Sequence, residues 1–329
     1  MVDIAQYDNL LLATWKAIRG KRQRPAIINF IADLDNQLAH LAEAIMQGQA
    51  PRNQYRHFII RDPKKRLIHA PCFADRVLHH ALLNKIEFVF ERLLLPTCYA
   101  CRPGKGVHRA VAQVQHNLQR FDWYVTIDIA GYFPAIDHAT LLALLARHFK
   151  GKPILDLFAR IVQGYHATPN KGLPIGALTS QHFANIYLNG ADRLLIQQPS
   201  VRAHVRYMDD IIWWCDSKIA AHRSLEKLTC YLQKKRHLLV KPVPHINRSR
   251  QGVGYCGYRI FPGVIRLSSR KKRRYQALRS TYEHLWQQGR LGDLDLQKAF
   301  SAVQAISLHA ASRTWRQNNL HYYPDLVSD

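Results

Sequence analysis

Apolar residues recur along this chain at the spacing of amphipathic helices, and short runs of β-forming residues interrupt them. Helical spacing covers residues 3–19, 31–48, 75–94, 107–120, 138–149, 180–195 and 218–238, and the chain from 270 onward also has a helical pattern. Asp75 stands at the start of the strongest of these segments, where an aspartate is a favoured N-cap. We therefore predict a mainly helical framework.

The strand signals lie between these helices and come mostly in pairs. Residues 55–69 read as two short strands around a basic turn, and 123–129 reads as a buried strand. The segments "VRYMDDIIWW" (205–214) and "GYCGYRIFPGVIRL" (254–267) each read as a hairpin. Because strands and helices do not alternate regularly, we predict an α+β fold with an antiparallel central sheet and a helical C-terminal lobe.

The charge balance narrows the class of partner. The 329 residues include 47 Lys and Arg against 23 Asp and Glu, a net charge of +24. Such an excess favours a polyanionic partner, nucleic acid first and an acidic membrane surface second. With no apolar run long enough to span a bilayer and no secretory signal, we expect a cytoplasmic protein with reduced cysteines. Cys98 and Cys101 form one C-x-x-C, but without a second pair we interpret them as packing residues.

Three acids stand where an apolar core is predicted. Asp128 ends the strand in "VTIDIAGYFPAIDH", and Asp209 and Asp210 lie side by side in "RYMDDIIWW". A simple hairpin turn would also place aspartates at 209 and 210. That alternative leaves unexplained why adjacent carboxylates, which repel each other and are costly to desolvate, occur in an apolar run. If one sheet brings the three together, a shared Mg²⁺ would offset the repulsion, and two ions about 4 Å apart could serve phosphoryl transfer.

The motifs around these acids resemble those of reverse transcriptases over roughly residues 55–265. "TIDIAGYFPAIDH" is similar to polymerase motif A, "GLPIGALTSQHFANIYLN" to motif B and "RYMDD" to motif C. "GYCGYRI" resembles the primer grip, and "RDPKKRLIHAPCFADR" and "YACRPGKGVH" resemble the fingers. The resemblance implies a right-hand polymerase fold. Its predicted parts are an N-terminal helical extension (1–54), fingers (55–121), a palm (122–265, with finger-side helices inserted around 138–170) and a thumb (266–329).

Motif B suggests a subgroup. Retron and group II intron enzymes usually read Pro-Gln-Gly and Ser-Pro, whereas this chain reads Pro174-Ile175-Gly176 and Ser180-Gln181. That pattern, the compact length and "SLHAASRTW" (307–315) resemble reverse transcriptases of diversity-generating retroelements. The resemblance implies error-prone, adenine-mutagenic cDNA synthesis from a template-repeat RNA, with dNTPs, the RNA/cDNA duplex and an oligomer of a small basic helical accessory (variability determinant) protein as partners. The alternatives are a retron-like or phage-defence enzyme, or a catalytically idle RNA-binding scaffold with the same fold.

The same resemblance assigns the catalytic centre. Asp128, Asp209 and Asp210 would hold two Mg²⁺ ions, with Mn²⁺ as a substitute, and the Ile129 carbonyl would be a further ligand. Phe133 would be the steric gate that excludes a 2′-hydroxyl, with an ordinary core phenylalanine as the alternative. The remaining predicted nucleotide contacts are the backbone N–H groups of Ala130, Gly131 and Tyr132 and the side chains of Arg61, Lys65, Arg66, Ile175, Gln181 and Lys241.

Five of these nucleotide contacts carry specific predictions. Among Arg61, Lys65 and Arg66, one or two would grip the triphosphate, unless they form only a solvated basic turn. Lys241 would protonate the leaving pyrophosphate. Ile175 replaces a glutamine, so the pocket lacks one polar contact and we expect it to tolerate wrong pairs, unless Ile175 merely packs.

Contacts to nucleic acid are implied elsewhere on the chain. Arg102 and Lys105 would touch the template backbone. The predicted primer-grip and thumb contacts are Tyr255, Gly257, Tyr258, Arg270, Lys271, Lys272, Arg273 and Arg274. For the basic run at 270–274, a solvated charged surface is the alternative.

Overall fold

The computed structural model describes residues 1–61 and 65–322. The tip of the predicted basic turn, residues 62–64, lies outside the described residues. Four helices open the chain, where the apolar spacing predicted two: α1 (Val2–Ala5), α2 (Tyr7–Ile18), α3 (Pro25–Ala32) and α4 (Leu34–Met46). Pro25 starts α3 because a proline is well accommodated in the first turn, where its missing N–H is not needed.

Next come an antiparallel hairpin and two long helices: β1 (Tyr55–Ile60), β2 (Arg66–Pro71), α5 (Phe73–Leu93) and α6 (Val107–Arg120). The predicted N-cap at Asp75 is wrong, because α5 begins two residues earlier with Cys72 at the cap position. Asp75 is instead buried in the first turn, and its carboxylate accepts the amides of Arg52 (2.8 Å) and Asn53 (2.9 Å). A tertiary contact therefore uses the oxygen atoms that a cap would have used.

The central part of the chain folds around one four-stranded sheet. Its elements are β3 (Trp123–Ile127), α7 (Tyr132–Ala135), α8 (His138–Ala146), α9 (Lys152–Gln163), α10 (Leu178–Ile196), β4 (Val201–Tyr207), β5 (Asp210–Cys215), α11 (Lys218–Arg236) and β6 (His245–Arg248). The strand order is β4-β5-β3-β6, and every pairing is antiparallel. The predicted antiparallel sheet is thus confirmed, whereas β6 was not predicted.

Both faces of this sheet are covered. Ile127, Ile211 and Trp213 belong to the main core, which α10 and α11 also enter, whereas Ile212 and Trp214 belong to a second cluster with α6. This two-sided burial explains why β5 reads as an apolar run without the alternation of a half-exposed strand.

The predicted hairpin at 254–267 is a three-stranded sheet, β7 (Val253–Tyr255), β8 (Tyr258–Ile260) and β9 (Ile265–Leu267). The helical C-terminal lobe is confirmed as α12 (Ser269–Gln287), α13 (Asp293–Ala305) and α14 (Arg313–Tyr322). The last predicted domain boundary, between 265 and 266, falls inside β9. None of the helices in the described part of the chain has the length and apolar character needed to cross a membrane.

Candidate active site

The predicted hairpin at 205–214 is present, and two of the three acids lie in its turn and at the start of its second strand. Tyr207 pairs with Asp210, so Met208 and Asp209 form a two-residue turn. Met208 adopts a left-handed conformation with φ of 56°, which is uncommon for a residue other than glycine. Asp209 therefore lies at the tip of the hairpin, and Asp210 begins β5.

The third acid reaches the same end of the sheet through β3. Ile127 pairs with Ile211 in antiparallel register, so the next residue along β3, Asp128, lies across from Asp210. The sequence separation of these acids is thus bridged by long-range strand pairing.

A segment after α11 continues the sheet beside Asp128. The Lys241 amide donates to the Asp128 carbonyl (2.9 Å), and the Ala130 amide donates to the Leu239 carbonyl (2.8 Å). The Ala130 N–H is therefore not available to a triphosphate, and that prediction is corrected. Between these two bonds, Ile129 directs its own carbonyl away from the segment, to the side of β3 where β5 lies.

The electrostatics of the acids depend on burial and on neighbouring charges. Burial raises the pKa of Asp209, and the nearby charge of Asp128 raises it further, while Arg66 and Lys241 act in the opposite direction. The Lys241 ammonium forms an ion pair with the Asp128 carboxylate, and both side chains are about half exposed. The acids thus create a negative site at the sheet end that attracts cationic side chains.

The donor chemistry of this site suits a hard divalent cation. Carboxylate and carbonyl oxygens are the ligands that Mg²⁺ prefers. Within residues 1–61 and 65–322, however, no three His, Cys, Asp or Glu side chains are already gathered closely enough to hold a metal ion. Mutual repulsion keeps carboxylates apart until a cation is shared, and Lys241 already neutralises Asp128. The three carboxylates and the Ile129 carbonyl are chemically suited to a hard divalent cation. The carboxylates would have to move closer together to bind it.

The short helix α7 carries Phe133 and, at its N-terminal end, the predicted backbone contacts of Gly131 and Tyr132. Gly131 caps it in a left-handed conformation, φ 51°, and the Gly131 and Tyr132 positions form its N-terminal end. The Tyr132 side chain is buried and its hydroxyl donates to the Ala184 carbonyl, so only its backbone could reach a nucleotide. Phe133 packs its ring partly on the main core, and its carbonyl accepts the Leu173 amide (2.9 Å). Phe133 is therefore tied to the segment that leads into motif B.

The loop that carries Ile175 is docked on strand β2. The His69 amide donates to the Ile175 carbonyl (2.8 Å), and the Ile175 side chain is partly exposed. Gly176 has φ of 125°, and a Cβ there would lie 2.8 Å from Ile68 Cγ2, so this position requires glycine. Gln181 is partly exposed in the first turn of α10.

The predicted triphosphate grip lies at the turn end of the β1–β2 hairpin, after β1 and at the start of β2. Arg61, Lys65 and Arg66 are all exposed, and the charge of Arg66 is felt by Asp209. Strand β2, which supports the Ile175 loop, thus also brings the positive charge of Arg66 towards the acids.

Arg102 does not have the predicted role in template binding. Its side chain is only 7% exposed and forms a salt bridge with Glu91 at 2.9 Å. It also donates to the carbonyls of Leu95 (2.6 Å) and Cys98 (3.0 Å). Lys105 is likewise partly engaged: its ammonium donates to the Pro96 carbonyl (2.7 Å). The "CRPGKG" loop is therefore held by its own cations, and the Arg102 guanidinium serves the fold.

The predicted primer-grip tyrosines are also structural. Tyr255 and Tyr258 are each 2% exposed, and the Tyr255 hydroxyl donates to the Asp210 carbonyl (3.0 Å). Direct nucleic-acid contact by either ring is excluded in this structure, although Gly257 between them is partly exposed at the turn. The Tyr255 hydroxyl instead connects the three-stranded sheet β7–β9 to Asp210 at the start of β5.

The basic run at the start of α12 divides into two groups. Lys271 places its ammonium 3.4 Å from the centre of the Tyr258 ring, and Lys272 lies 5.4 Å from that of Trp315. These two lysines attach α12 to aromatic neighbours. The other three cations of the run are exposed: Arg270, Arg273 and Arg274.

Two buried charges beside the acids were not predicted. Arg206 and Asp192 are both 0% exposed and form a salt bridge at 2.7 Å. The available signal was weak: Arg206 lies two residues before the turn in a strand that also carries Arg202 and His204, and only a buried arginine requires a partner.

Comparisons with known proteins agree with this geometry. A sequence model of the family described as "Reverse transcriptase (RNA-dependent DNA polymerase)" matches residues 60–242, more than half of the chain, and spans all three acids. The chain belongs to the reverse transcriptase family.

The relatives of this reverse transcriptase include much longer proteins. The group II intron-encoded protein LtrA of Lactococcus lactis subsp. cremoris is 28% identical over 141 residues, which cover 41% of this chain and 23% of LtrA. Protein YkfC of Escherichia coli strain K12 is 25% identical over 176 residues, 49% of this chain and 44% of YkfC. The matched segment thus spans less than half of either relative.

Among solved structures, apo telomerase from Candida tropicalis superimposes with a TM-score of 0.51 at 10% identity, covering 88% of this chain and 64% of telomerase. This likeness concerns the fold alone. Together with the family match, it confirms the predicted right-hand polymerase fold.

Proposed function

We propose that this reverse transcriptase is an active RNA-directed DNA polymerase. The observation that carries the proposal is the β3–β5 register, which brings Asp128 across from Asp210 and beside the turn that carries Asp209. Family membership alone would also fit an idle scaffold. The retention of three acids at one sheet end, where they repel each other, favours catalysis.

In the proposed enzyme, Asp128, Asp209 and Asp210 would hold divalent cations, with the Ile129 carbonyl as a further ligand. The ions, Mg²⁺ or substituting Mn²⁺, would supply charge stabilisation for the attacking and leaving oxygens. The orientation of the Ile129 carbonyl towards the β5 side of β3 supports its place in this set.

The surrounding residues would bind and orient the deoxynucleotide. Arg66 would contact the triphosphate from the fingers, and Arg61 and Lys65 would share this role. The Phe133 ring would lie against the sugar. Lys241, now paired with Asp128, would be released when a cation binds and would then be positioned to donate a proton to the leaving pyrophosphate. The charge of Arg66 acting on Asp209 and the Lys241–Asp128 ion pair support the first and the last of these roles.

The proposed macromolecular partners are a template RNA and the RNA/cDNA duplex. The net charge of +24 and the exposed arginines of α12 support this proposal. The proposed division of the chain remains N-terminal extension, fingers, palm and thumb.

We further propose the diversity-generating subgroup, with its template-repeat RNA and an oligomeric basic accessory protein. The support is the motif B sequence and the partly exposed Ile175 side chain, which offers no hydrogen bond to the incoming nucleotide. A retron-like or phage-defence enzyme is the second candidate, because the family match and a group II intron-encoded relative do not distinguish one subgroup from another.

A primer-extension assay on an RNA template with Mg²⁺ tests the activity. We expect the wild type to extend and Asp209→Ala to lose at least a thousandfold. Asp216→Ala is the matched control, since Asp216 lies past the other end of β5 in an exposed ion pair with Arg202. Equal activity of Asp209→Ala and wild type would overturn the proposal.

Sequencing the cDNA made from the native RNA tests the subgroup. Substitutions concentrated at template adenines are expected for a diversity-generating enzyme. An even distribution of errors over the four template bases would favour the second candidate.

A further inference from the structure

A fully buried ion pair lies directly behind the turn that carries Asp209. The Arg206 Nε atom on β4 lies 2.8 Å and 2.9 Å from the two carboxylate oxygens of Asp192 on α10, and Nη2 lies 2.7 Å from Oδ2. Burial raises the pKa of Asp192, but the charges and hydrogen bonds of Arg206 and His204 together outweigh burial and lower that pKa. Both groups are therefore charged at neutral pH.

The rest of the guanidinium connects α10 to the turn. Nη1 donates to the Asn185 side-chain oxygen (3.0 Å) and to the Met208 carbonyl (3.1 Å), and Nη2 donates to the Asn185 carbonyl (3.2 Å). Arg206 thus holds the main chain of the residue that immediately precedes Asp209. A lysine could not make these contacts together, because its ammonium is a single point of charge.

Further contacts fix the pair itself. His204 Nε2 lies 3.1 Å from Asp192 Oδ1, and His204 Nδ1 lies 3.0 Å from the Thr97 hydroxyl. The Arg206 backbone donates to the Thr97 carbonyl and accepts from the Tyr99 amide, each at 2.9 Å. The Arg206 guanidinium is therefore held by α10, while the 97–99 segment fixes the Arg206 backbone and the His204 ring on β4.

Stability alone does not account for this arrangement. A buried ion pair is on average no more stabilising than apolar residues of the same volume. Met208, in contrast, is held in a left-handed conformation that an L-residue adopts only at a cost. A strained residue keeps its conformation when its surroundings fix it, and the Arg206 contact to its carbonyl provides that restraint.

We propose that Arg206, held by Asp192, is a positioning residue that fixes the Met208–Asp209 peptide and so aims the Asp209 carboxylate at the cation site. This inference rests on the proposed function, because it assigns a cation to Asp209. Arg206 itself would touch neither the cation nor the substrate. Its loss would weaken cation binding by leaving the turn free to relax.

The chain contains a matched control, Arg236. It is also buried (8% exposed), and its Nε donates to the Tyr187 carbonyl of α10 (2.7 Å). It lies at the end of α11, and among the described residues its hydrogen-bond partners, Tyr187 and Lys235, are outside the 208–209 turn. Arg236→Lys should therefore lower the free energy of unfolding without changing cation affinity.

The experiment measures Mn²⁺ binding to the free full-length protein by electron paramagnetic resonance, together with urea unfolding. We expect Arg206→Lys to weaken Mn²⁺ binding at least tenfold and Arg236→Lys to change it less than twofold. A second variant, Arg206→Met with Asp192→Leu, replaces the pair by apolar residues. It should fold, and it should bind Mn²⁺ at least tenfold more weakly than the wild type.

Three results would overturn the inference. They are wild-type Mn²⁺ affinity in either Arg206 variant, an equal loss of affinity in Arg236→Lys, and failure of both Arg206 variants to fold, since the pair would then serve the fold alone. Primer extension by the wild type separates the two proposals. Extension with unchanged Mn²⁺ affinity in the variants refutes the positioning role only, whereas no extension with the predicted order of affinities refutes the polymerase proposal only.

Discussion

Replacing Arg102 by alanine should destabilise the protein and leave its affinity for RNA unchanged. The family resemblance implies that Arg102 touches the template, whereas the structure gives its guanidinium to Glu91, Leu95 and Cys98. The two roles predict opposite outcomes for the same substitution, so Arg102→Ala distinguishes them.

The size of the effect follows from these contacts. Alanine removes the partner of the Glu91 carboxylate and the charged donor to two carbonyl groups, and a hydrogen bond to a charged group contributes about 1.5–3 kcal/mol. Because the Glu91 side chain is 30% exposed, water can solvate it, and the loss is smaller than the full 3–5 kcal/mol of breaking a buried pair. We expect the free energy of unfolding to fall by about 3 kcal/mol.

Two measurements test this expectation. Urea unfolding gives the stability, and RNA binding at several salt concentrations gives the number of phosphate contacts, since each contact contributes about 0.7–0.9 to the slope of log K against log salt. Arg102→Ala should keep the wild-type slope, and Arg270→Ala, on the exposed part of α12, should reduce it by one contact with little loss of stability. A reduced slope with unchanged stability in Arg102→Ala would refute the structural role.

Three further outcomes are expected. Ile175→Gln should restore a polar contact of about 1 kcal/mol and lower misincorporation about fivefold in sequenced cDNA, and an unchanged error spectrum would contradict the pocket hypothesis. Gly176→Ala should destabilise the fold by about 1–3 kcal/mol and raise the KM for deoxynucleotides, whereas Gly263→Ala, with nothing within 4 Å of its Cβ, should match wild type in both measurements. Burial lowers the pKa of His79 to about 3 and that of His182 to about 4. Protons therefore bind preferentially to the unfolded chain, and the free energy of unfolding falls as the pH drops below about 6.5. The loss is about 2 kcal/mol for each histidine at pH 5. Equal urea midpoints at pH 7 and pH 5 would contradict this.

The fold was predicted most accurately where the sequence carries a local signal. The helix at 107–120 and the strands around the basic turn were found because apolar periodicity and turn residues act over a few positions. The β4–β5 hairpin was also predicted, since its two-residue turn connects neighbouring strands. Strand β6 was missed, because its four residues form a strand only through pairing with β3.

The candidate site shows the same division between local and long-range information. Asp128 and Asp209 were found from their unusual surroundings, but nothing local shows that Arg102 turns inward or that Tyr255 is covered. The position of Arg102 depends on its salt bridge with Glu91 on α5, and that of Tyr255 depends on its hydrogen bond to the Asp210 carbonyl. Both contacts form only when the chain folds. Motif resemblance pointed to the sheet end where strand pairing gathers the acids, but it could not distinguish a residue exposed to a ligand from one that supports the fold.

The attachment of the Ile175 loop has a consequence for how this enzyme can change. The His69 amide holds the loop by its main chain, so the course of the loop does not depend on which side chain occupies position 175. Natural selection can therefore exchange that side chain in a single step without rebuilding the surrounding polymerase. Under the role proposed for position 175, copying accuracy and structural integrity are separable traits, and a lineage could become more or less mutagenic while its scaffold stays the same.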